Sequence, residues 1–543
     1  MELVNPAAYN VGRALGRLER VRTVYVVAPL CLLSWGVTLG FALHAKHNGW
    51  LYYNGGDGTY YWTMPWAIAH HLLPATTISY GLLVFLWPLA LIFGSIALPA
   101  LPVIVIVQVA ILGPIAVLCM YAIGTRIGGR LFGIFTGFAW AVAPFAAYHF
   151  FYQRVHSDFE SIALPSILGL NNLADYPSMV LTIVIAWLVL RALDERRWND
   201  VVIAGTLCGF LIAVKPSNGF FVPAPVFAFL VARCWRETGG FLLAMVPGLI
   251  TLTIWKQAGL GTIPLFGSEV IHAAAGASIG GTVHESLTRY IPFSWHDFNQ
   301  NLAEIREYGW SLRLAEYLPI AGFVGALRRG LPQAVLLGFW CVDYLVFKGG
   351  TSLASVYDWS WFRYTMPGFP PYVLLTCCIV FLIPGLGRRW HPRVTKPTRL
   401  RLTGWLVATV AILVVYPFLV VVTHGGPADN RVALNSANNL GVIAGDLHVT
   451  VAQTPKGPSL RWRQPNTNGT KVGFVILRAD GQGCRTVARE CSLDMTTIRL
   501  VHSLSFPVWQ TGPGYYRVAL VAGPRITPED GDMLLLSPAI RVR

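Results

Sequence analysis

The run ALPVIVIVQVAILGPIAVLCMYAIG, from Ala100 to Gly124, contains no charged side chain and is long enough to cross the hydrocarbon core of a bilayer as one helix. The whole chain of 543 residues has the same character, because 54% of its residues are hydrophobic and only 12% are charged. Soluble globular domains are much less apolar than this. The sequence therefore predicts an α-helical polytopic membrane protein.

Eleven apolar runs have the length and composition of membrane-spanning helices. They lie near residues 24–44, 100–124, 131–149, 176–193, 200–215, 218–233, 240–256, 313–328, 332–347, 366–386 and 403–423. One more run, Ile78 to Pro99, is also apolar, but a span there would invert the orientation of every later loop. We interpret it as a juxtamembrane or re-entrant segment buried against the protein, with an ordinary span as the alternative.

The basic residues are concentrated in every second loop between these runs. The chain has 41 Lys and Arg against 26 Asp and Glu, a net charge of +15, which in a soluble protein would suggest nucleic-acid binding. Here the basic groups follow the positive-inside rule, so they indicate topology and no nucleic-acid partner. They lie at Arg13 to Arg22, Arg126/Arg130, Arg196/Arg197, Arg233/Arg236, Arg328/Arg329 and Arg388 to Arg401. We expect a multi-pass protein of the cell membrane with a cytoplasmic N-terminus and an extracytoplasmic C-terminus.

A second domain is predicted after the last span. Residues 426–543 contain short alternating segments such as GFVILRAD and GYYRVALVAG, separated by Gly, Pro, Asn and Asp. This pattern predicts an extracytoplasmic all-β sandwich of about seven strands, following a membrane-embedded domain in residues 1–425. The Tyr-x-Val-x-Leu segment that begins at Tyr516 resembles the penultimate strand of fibronectin type III-like domains.

Two of the nine cysteines, Cys484 and Cys491, lie in this β-domain, and the other seven lie in or beside apolar runs. In an oxidising compartment the pair is expected to form a disulfide that closes a small loop and contributes roughly 2 to 3 kcal/mol. The sequence shows no Cys/His spacing for zinc and no glycine-rich nucleotide motif. ATP-driven transport therefore has no support.

The acids and bases of the membrane domain that fall outside the basic loops are predicted to lie on the outer face. They include Asp57 in the first outer loop, Arg154 and His156 in the second, Asp175 before the fourth span, Lys215 at the end of the fifth and Arg363 before the tenth. A charge near the bilayer centre costs about 2.5 to 3.5 kcal/mol, so Asp175 and Lys215 should face a cavity with partners. Snorkelling to the interface is the alternative for Lys215 and Arg363.

Residues 24 to 390 resemble the GT-C class of membrane glycosyltransferases, which includes the protein mannosyltransferases and the aminoarabinose transferase of lipid A. Four short motifs in the same order carry the resemblance: Asp57 in GGDGTYYW, Asp175 in ADYPS, Lys215 in VKPSN, and Arg363, Tyr364 and Pro367 in RYTMP. Gly58 follows Asp57, where several branches of the class have a second acid. No divalent metal is therefore predicted, and no other cofactor is expected.

The resemblance implies transfer of a hexose or pentose from a polyprenyl-phosphate donor to a glycan, lipid or protein acceptor on the outer face of the membrane. Such a reaction needs a base for the acceptor hydroxyl and cations for the leaving phosphate. Asp57 is expected to be the base, Lys215 and Arg363 to bind the phosphate, and Asp175 to orient the acceptor or the sugar.

Further substrate contacts are expected from Arg154, His156 and Tyr364, and from the aromatic rings of Tyr60, Tyr61 and Trp62, for which packing at the interface is the alternative. The long outer loop from Gly259 to Leu312 is expected to close over the donor as a lid. Two other classes remain open on the sequence alone, a flippase or transporter of polyprenyl-linked glycans and a glycan-binding membrane scaffold.

Overall fold

The computed structural model of the chain describes most of both predicted domains. The described residues are 21–44, 61–62, 64–65, 68–69, 78–93, 100–260, 270–272, 282–284, 293–309, 312–351, 354–357, 359–383, 402–423, 447–464, 472–479, 496–522, 532–537 and 540–543. The predicted site residues Asp57 and Tyr60, both cysteines of the predicted disulfide, and the predicted domain boundary at residues 425 and 426 lie outside them.

The described residues of the membrane part are mainly helical and also form one short hairpin. In chain order its helices are α1 (Val24–His44), α2 (Tyr80–Phe93), α3 (Leu101–Gly128), α4 (Arg130–Tyr148), α5 (Asp175–Glu195), α6 (Trp198–Val214), α7 (Pro216–Val231), α8 (Trp235–Leu260), α9 (Trp295–Tyr308), α10 (Leu312–Leu327), α11 (Leu331–Lys348), α12 (Met366–Leu382) and α13 (Gly404–Thr423). Shorter helical turns cover residues 153–167 and Ser360–Tyr364.

Each of the eleven predicted spans coincides with one of these helices. Among the described residues, seven helices are long and apolar enough to cross a membrane, namely α1, α3, α4, α5, α8, α11 and α13, and α2, α6, α7 and α12 are shorter apolar helices. The predicted class of polytopic helical membrane protein is confirmed. The number of crossings depends on how the shorter helices meet the bilayer.

Helix α2 is formed by the apolar run that was interpreted as a juxtamembrane or re-entrant segment. It has 14 residues and is therefore about 21 Å long, less than the roughly 30 Å of a hydrocarbon core. One face is buried against α6, where a Cβ added to Gly81 would lie 2.5 Å from the backbone nitrogen of Val214. This close contact packs α2 against the end of α6.

Helices α6 and α8 pack through glycines, so that their backbones approach each other closely. A Cβ added to Gly205 would lie 2.4 Å from the carbonyl oxygen of Phe241, and one added to Gly209 would lie 2.5 Å from that of Met245. Small residues at such positions are typical of helix contacts in membranes. The end of α6 is consequently fixed by α8 on one side and by α2 on another.

The C-terminal β-domain consists of two antiparallel sheets. A separate hairpin of β1 (Val270–His272) and β2 (Thr282–His284) lies in the membrane part. The C-terminal strands are β3 (Thr450–Thr454), β4 (Gly457–Arg461), β5 (Val472–Ala479), β6 (Thr496–Val501), β7 (Ser505–Pro507), β8 (Gly514–Ala522), β9 (Asp532–Leu536) and β10 (Ile540–Val542). One sheet has the order β3-β4-β7, and the other has the order β10-β8-β5-β6, with β9 also paired to β8.

Side chains from both sheets share one core, as the predicted sandwich requires. Leu460 and Phe506 from the smaller sheet and Phe474 and Val518 from the larger sheet belong to the same buried cluster. The hydroxyl of Tyr516 at the start of the Tyr-x-Val-x-Leu segment donates to the carbonyl of Gly512, at 2.5 Å. This bond back to the preceding backbone is the arrangement of a tyrosine corner. The predicted C-terminal β-sandwich is confirmed.

Candidate active site

Asp175 and Lys215 are brought together by the hairpin of α5 and α6. Asp175 is the first residue of α5, and Lys215 directly follows the last residue of α6. Arg196, with φ of 51°, gives the left-handed turn between the two helices. Near this turn the guanidinium of Arg191 forms a buried ion pair with Asp200, at 3.1 Å. The helices therefore run antiparallel, and their free ends meet at the same side of the membrane part.

The carboxylate of Asp175 binds two cations. Its Oδ1 lies 2.5 Å from Nζ of Lys215, and its Oδ2 lies 3.1 Å from Nε of Arg363. Only 5% of the Asp175 side chain is exposed, so the charge needs this compensation. The three predicted residues Asp175, Lys215 and Arg363 are therefore in direct contact.

The ring of Tyr364 is surrounded by three positive charges. Its centroid lies 4.4 Å from Nζ of Lys215, 5.1 Å from Cζ of Arg363 and 5.3 Å from Nζ of Lys348. An aromatic face attracts cations at these distances, more strongly where water is excluded. Tyr364 thus joins the three cations into one group, and we call Asp175, Lys215, Lys348, Arg363 and Tyr364 the cation cluster.

Lys348 is the member of the cation cluster that the sequence analysis missed. It follows directly on the predicted span 332–347, where a lysine resembles an ordinary snorkelling residue. In the structure it is only 4% exposed and ends a π-helical turn, Asp343–Lys348, within α11. Such turns occur often at functional sites. The sequence signal that could have identified Lys348 is the one that identified Lys215, namely a single lysine at the end of an apolar run.

A buried polar network lies beneath the cation cluster and connects the elements that carry it. The amide of Asn218 donates to the hydroxyl oxygen of Ser178, at 2.9 Å, and its Oδ1 accepts from the hydroxyl of Tyr344, at 3.2 Å. Ser178 in turn donates to the carbonyl of Ala174. These bonds cross-link α5, the start of α7 and α11. Satisfied networks of this kind fix the relative positions of the side chains above them.

The last part of the predicted lid is attached to the chain just after Lys348. Helix α9 places Asn301 so that its amide donates to the carbonyls of Gly349, at 3.0 Å, and Ala354, at 2.6 Å. Its Oδ1 accepts from the backbone N–H of Val356, at 2.9 Å. This helix is therefore bound beside the cation cluster, and movement of the rest of the loop from Gly259 to Leu312 stays a prediction.

Arg154 and His156 have their contacts away from the cation cluster. Arg154 forms an exposed ion pair with Glu307, at 3.3 Å. The ring of His156 lies on the ring of Tyr148, with centroids 3.9 Å apart, and its Nε2 is 3.0 Å from the carbonyl oxygen of Phe151. The structure therefore does not join these two residues to Asp175 and Lys215. A contact with substrate stays a prediction for both.

Tyr61 and Trp62 are buried, with 7% and 2% of their surface exposed. Tyr61 belongs to an apolar cluster that also contains Ala174 and Val214, the residues that precede Asp175 and Lys215. Their burial agrees with the packing alternative that the sequence left open, and a contact with substrate stays a prediction for both.

The donor atoms of the cation cluster do not fit a divalent metal ion. Both carboxylate oxygens of Asp175 are bound by cations, which a metal would have to displace against charge repulsion. Among the described residues no three His, Cys, Asp or Glu side chains converge in a geometry that holds a metal. The cluster is suited instead to an anion.

Comparison with solved structures finds similarity to two structures of the archaeal oligosaccharyltransferase AglB of Archaeoglobus fulgidus. One, in complex with Zn and sulfate, is 12% identical with a TM-score of 0.40, and the match covers 74% of this chain and 54% of that one. The other, in complex with an inhibitory peptide and a dolichol-phosphate, is 13% identical with a TM-score of 0.36. That match covers 75% of this chain and 56% of the other. The chain thus spans about half the length of these proteins. A search of curated proteins finds no match.

A protein-family model matches the segment that contains α5 and α6. The family is described as dolichyl-phosphate-mannose-protein mannosyltransferase, and the match covers residues 158–255. The matched segment includes Asp175 and Lys215, whereas Lys348, Arg363 and Tyr364 lie beyond it. Through residues 158–255 the chain is similar to the dolichyl-phosphate-mannose-protein mannosyltransferases, and the predicted resemblance to GT-C membrane glycosyltransferases is confirmed.

Proposed function

We propose that this multi-pass membrane protein is a glycosyltransferase that transfers a sugar from a polyprenyl-phosphate donor to an acceptor. The observation that carries the proposal is the cation cluster, in which three largely buried cations lie around one aromatic ring with one carboxylate among them. Such a group stabilises an anion that has left water, as the phosphate of a membrane-bound lipid does.

In this proposal Lys215 and Arg363 bind the phosphate of the donor. Their bonds to Asp175 hold both side chains in place before the donor arrives, so little further ordering is needed on binding. Asp175 then acts as their counter-ion and positioning residue.

The base for the acceptor hydroxyl is proposed to be Asp57. Its position lies outside the described residues, but Tyr61, four residues further along, belongs to the same buried apolar cluster as Ala174 and Val214, the neighbours of Asp175 and Lys215. This shared cluster supports a base from the same stretch of the first outer loop. The glycines on either side of Asp57 allow its short side chain to approach a substrate.

The remaining parts of the proposal follow from the charge pattern and the motifs. The sugar is a hexose or pentose, the acceptor is a glycan, a lipid or a protein, and no metal or other cofactor takes part. Basic loops at Arg196/Arg197 and Arg328/Arg329 lie at the opposite ends of α5 and α10 from the side of the cation cluster, which supports an extracytoplasmic site in the cell membrane.

The test is single-turnover transfer by the purified protein in lipid nanodiscs. A panel of polyprenyl-phosphate sugars is offered with candidate acceptors, with and without a chelator. We expect transfer from at least one donor that is insensitive to the chelator and lost in Lys215→Met. Wild-type protein that binds no polyprenyl phosphate in a parallel titration would contradict the proposal.

A further inference from the structure

Lys348 differs from the other two cations of the cation cluster in having no anionic partner among the described residues. Lys215 and Arg363 each bind an oxygen of Asp175, whereas no described carboxylate lies within ion-pair distance of Nζ of Lys348. The ammonium of Lys348 faces the ring of Tyr364, and only 4% of the surface of Lys348 is exposed. A buried charge without a partner is strongly unfavourable, so the described part of the site can accept one more negative charge than its own carboxylate supplies.

The charges of the cation cluster can be counted from its described members. Lys215, Arg363 and Asp175 together carry a net charge of +1. Lys348, which interacts electrostatically with both Lys215 and Asp175, raises the total to +2. The cluster therefore matches an anion with two negative charges.

The lipid phosphate acquires this charge during the proposed reaction. The donor is a phosphodiester with one negative charge. The acceptor oxygen forms a bond to the anomeric carbon of the sugar while the bond from that carbon to the phosphate oxygen breaks, and the phosphate oxygen keeps the electron pair. The hydroxyl proton goes to the base. The product is a phosphomonoester with close to two negative charges at neutral pH, because its second pKa is about 6.

We propose that Lys348 binds the negative charge that the lipid phosphate gains as the sugar leaves, so that the site prefers the polyprenyl phosphomonoester over the phosphodiester. The inference rests on the proposed function. Lys215 and Arg363 bind the negative charge that is already present on the donor phosphate, and Lys348 stabilises the additional negative charge that develops in the transition state. Such an interaction accelerates the chemical step, because it is stronger in the transition state than in the bound donor.

The experiment measures two ligands that differ by this one charge, with full-length protein in nanodiscs of uncharged lipid. The probes are polyprenyl phosphate and its methyl phosphodiester, titrated at pH 7.5 and at pH 5. We expect wild-type protein to bind the monoester about 10-fold more tightly at pH 7.5, as one charge-assisted contact allows. At pH 5, where the monoester is largely singly charged, the preference should fall below about 2-fold.

Two substitutions assign the preference to Lys348. Lys348→Met has a similar volume without the charge and should abolish the preference at pH 7.5, because its affinity for the monoester should fall about 10-fold more than its affinity for the diester. Lys348→Arg should retain the preference. A monoester preference that persists in Lys348→Met, or in wild type at pH 5, would overturn the inference while leaving the proposed function intact. Absence of binding of both probes to wild type would overturn the proposed function itself.

Discussion

The carboxylate of Asp175 and the ammonium of Lys215 are 2.5 Å apart, although 40 positions separate the two residues in the sequence. The contact follows from two antiparallel helices of 21 and 17 residues joined by a two-residue turn. An acid and a base that are each costly to bury alone thus compensate each other before any ligand binds. This pairing determines how the acids of the site should respond to substitution.

Replacing Asp175 by Asn should destabilise the ligand-free protein more than the ligand-bound protein. The substitution leaves Lys215 and Arg363 without their shared counter-ion, which costs roughly 2 to 4 kcal/mol in a largely buried setting. A bound phosphate compensates the same charges, so ligand should raise the unfolding temperature of Asp175→Asn more than that of wild type. Thermal unfolding in detergent with and without polyprenyl phosphate measures both effects. Equal ligand-induced shifts in the two proteins would argue against the counter-ion role.

Replacing Asp57 by Asn should act on turnover and leave donor binding nearly unchanged. General-base catalysis contributes about 10² to 10⁴ in rate, so the single-turnover rate should fall at least 100-fold. The measurement is transfer from a polyprenyl-phosphate sugar beside a donor-binding titration. A near-normal rate in Asp57→Asn would show that another group accepts the proton.

The aromatic ring of Tyr364 should matter more than its hydroxyl. Tyr364→Leu removes the face that three cations share and should weaken donor binding about 5- to 10-fold, since each cation–π contact contributes about 0.5 to 2 kcal/mol. The matched control, Tyr364→Phe, keeps the ring and should stay within about 2-fold of wild type. Equal loss of donor affinity in the two variants, measured by the same titration, would assign the effect to the hydroxyl.

The glycine contact between α6 and α8 should be sensitive to a single methyl group. In Gly209→Ala the new Cβ would lie 2.5 Å from the carbonyl oxygen of Met245, so the helices must separate at a cost of about 1 to 3 kcal/mol. The control is Gly239→Ala in α8, where a Cβ has no neighbour within 4 Å. Thermal unfolding should place only Gly209→Ala below wild type. Donor affinity should fall in the same variant, because α6 carries Lys215.

The sequence was informative about the helices and about four of the five members of the cation cluster. Long apolar runs with few charges have few structures open to them in a bilayer, so every predicted span coincided with a helix. Asp175 and Lys215 were singled out because a charge beside apolar sequence is unusual enough to require a partner, and Arg363 through the motif that it shares with the GT-C class. Tyr364 was found with Arg363, since the two share one motif.

Lys348, the remaining member of the cation cluster, could not be identified in this way, because its environment depends on which distant segments of the chain meet in the fold. A single sequence does not show those contacts. Lys348 resembles any lysine at the end of a span until the π-helical turn and the packing of α11 against the start of α7 place it beside Tyr364. Arg154 was predicted to contact substrate from a loop that it shares with other charges, and the structure adds an ion pair with Glu307 of α9 that the sequence does not indicate. In both cases a contact between distant segments determined the environment of the side chain.

The length of α6 has a consequence for the way in which a substrate reaches the cation cluster. Its 17 residues extend about 25 Å, roughly 5 Å less than the thickness of a hydrocarbon core. In a bilayer that places Trp198 at one surface of the core, Lys215 would lie below the opposite surface. In the proposed reaction a lipid headgroup would then have to sink, or the bilayer would have to thin locally, before the phosphate and the ammonium could meet. Thicker bilayers should slow this encounter, and a water-soluble sugar phosphate without a lipid tail should compete poorly for the site.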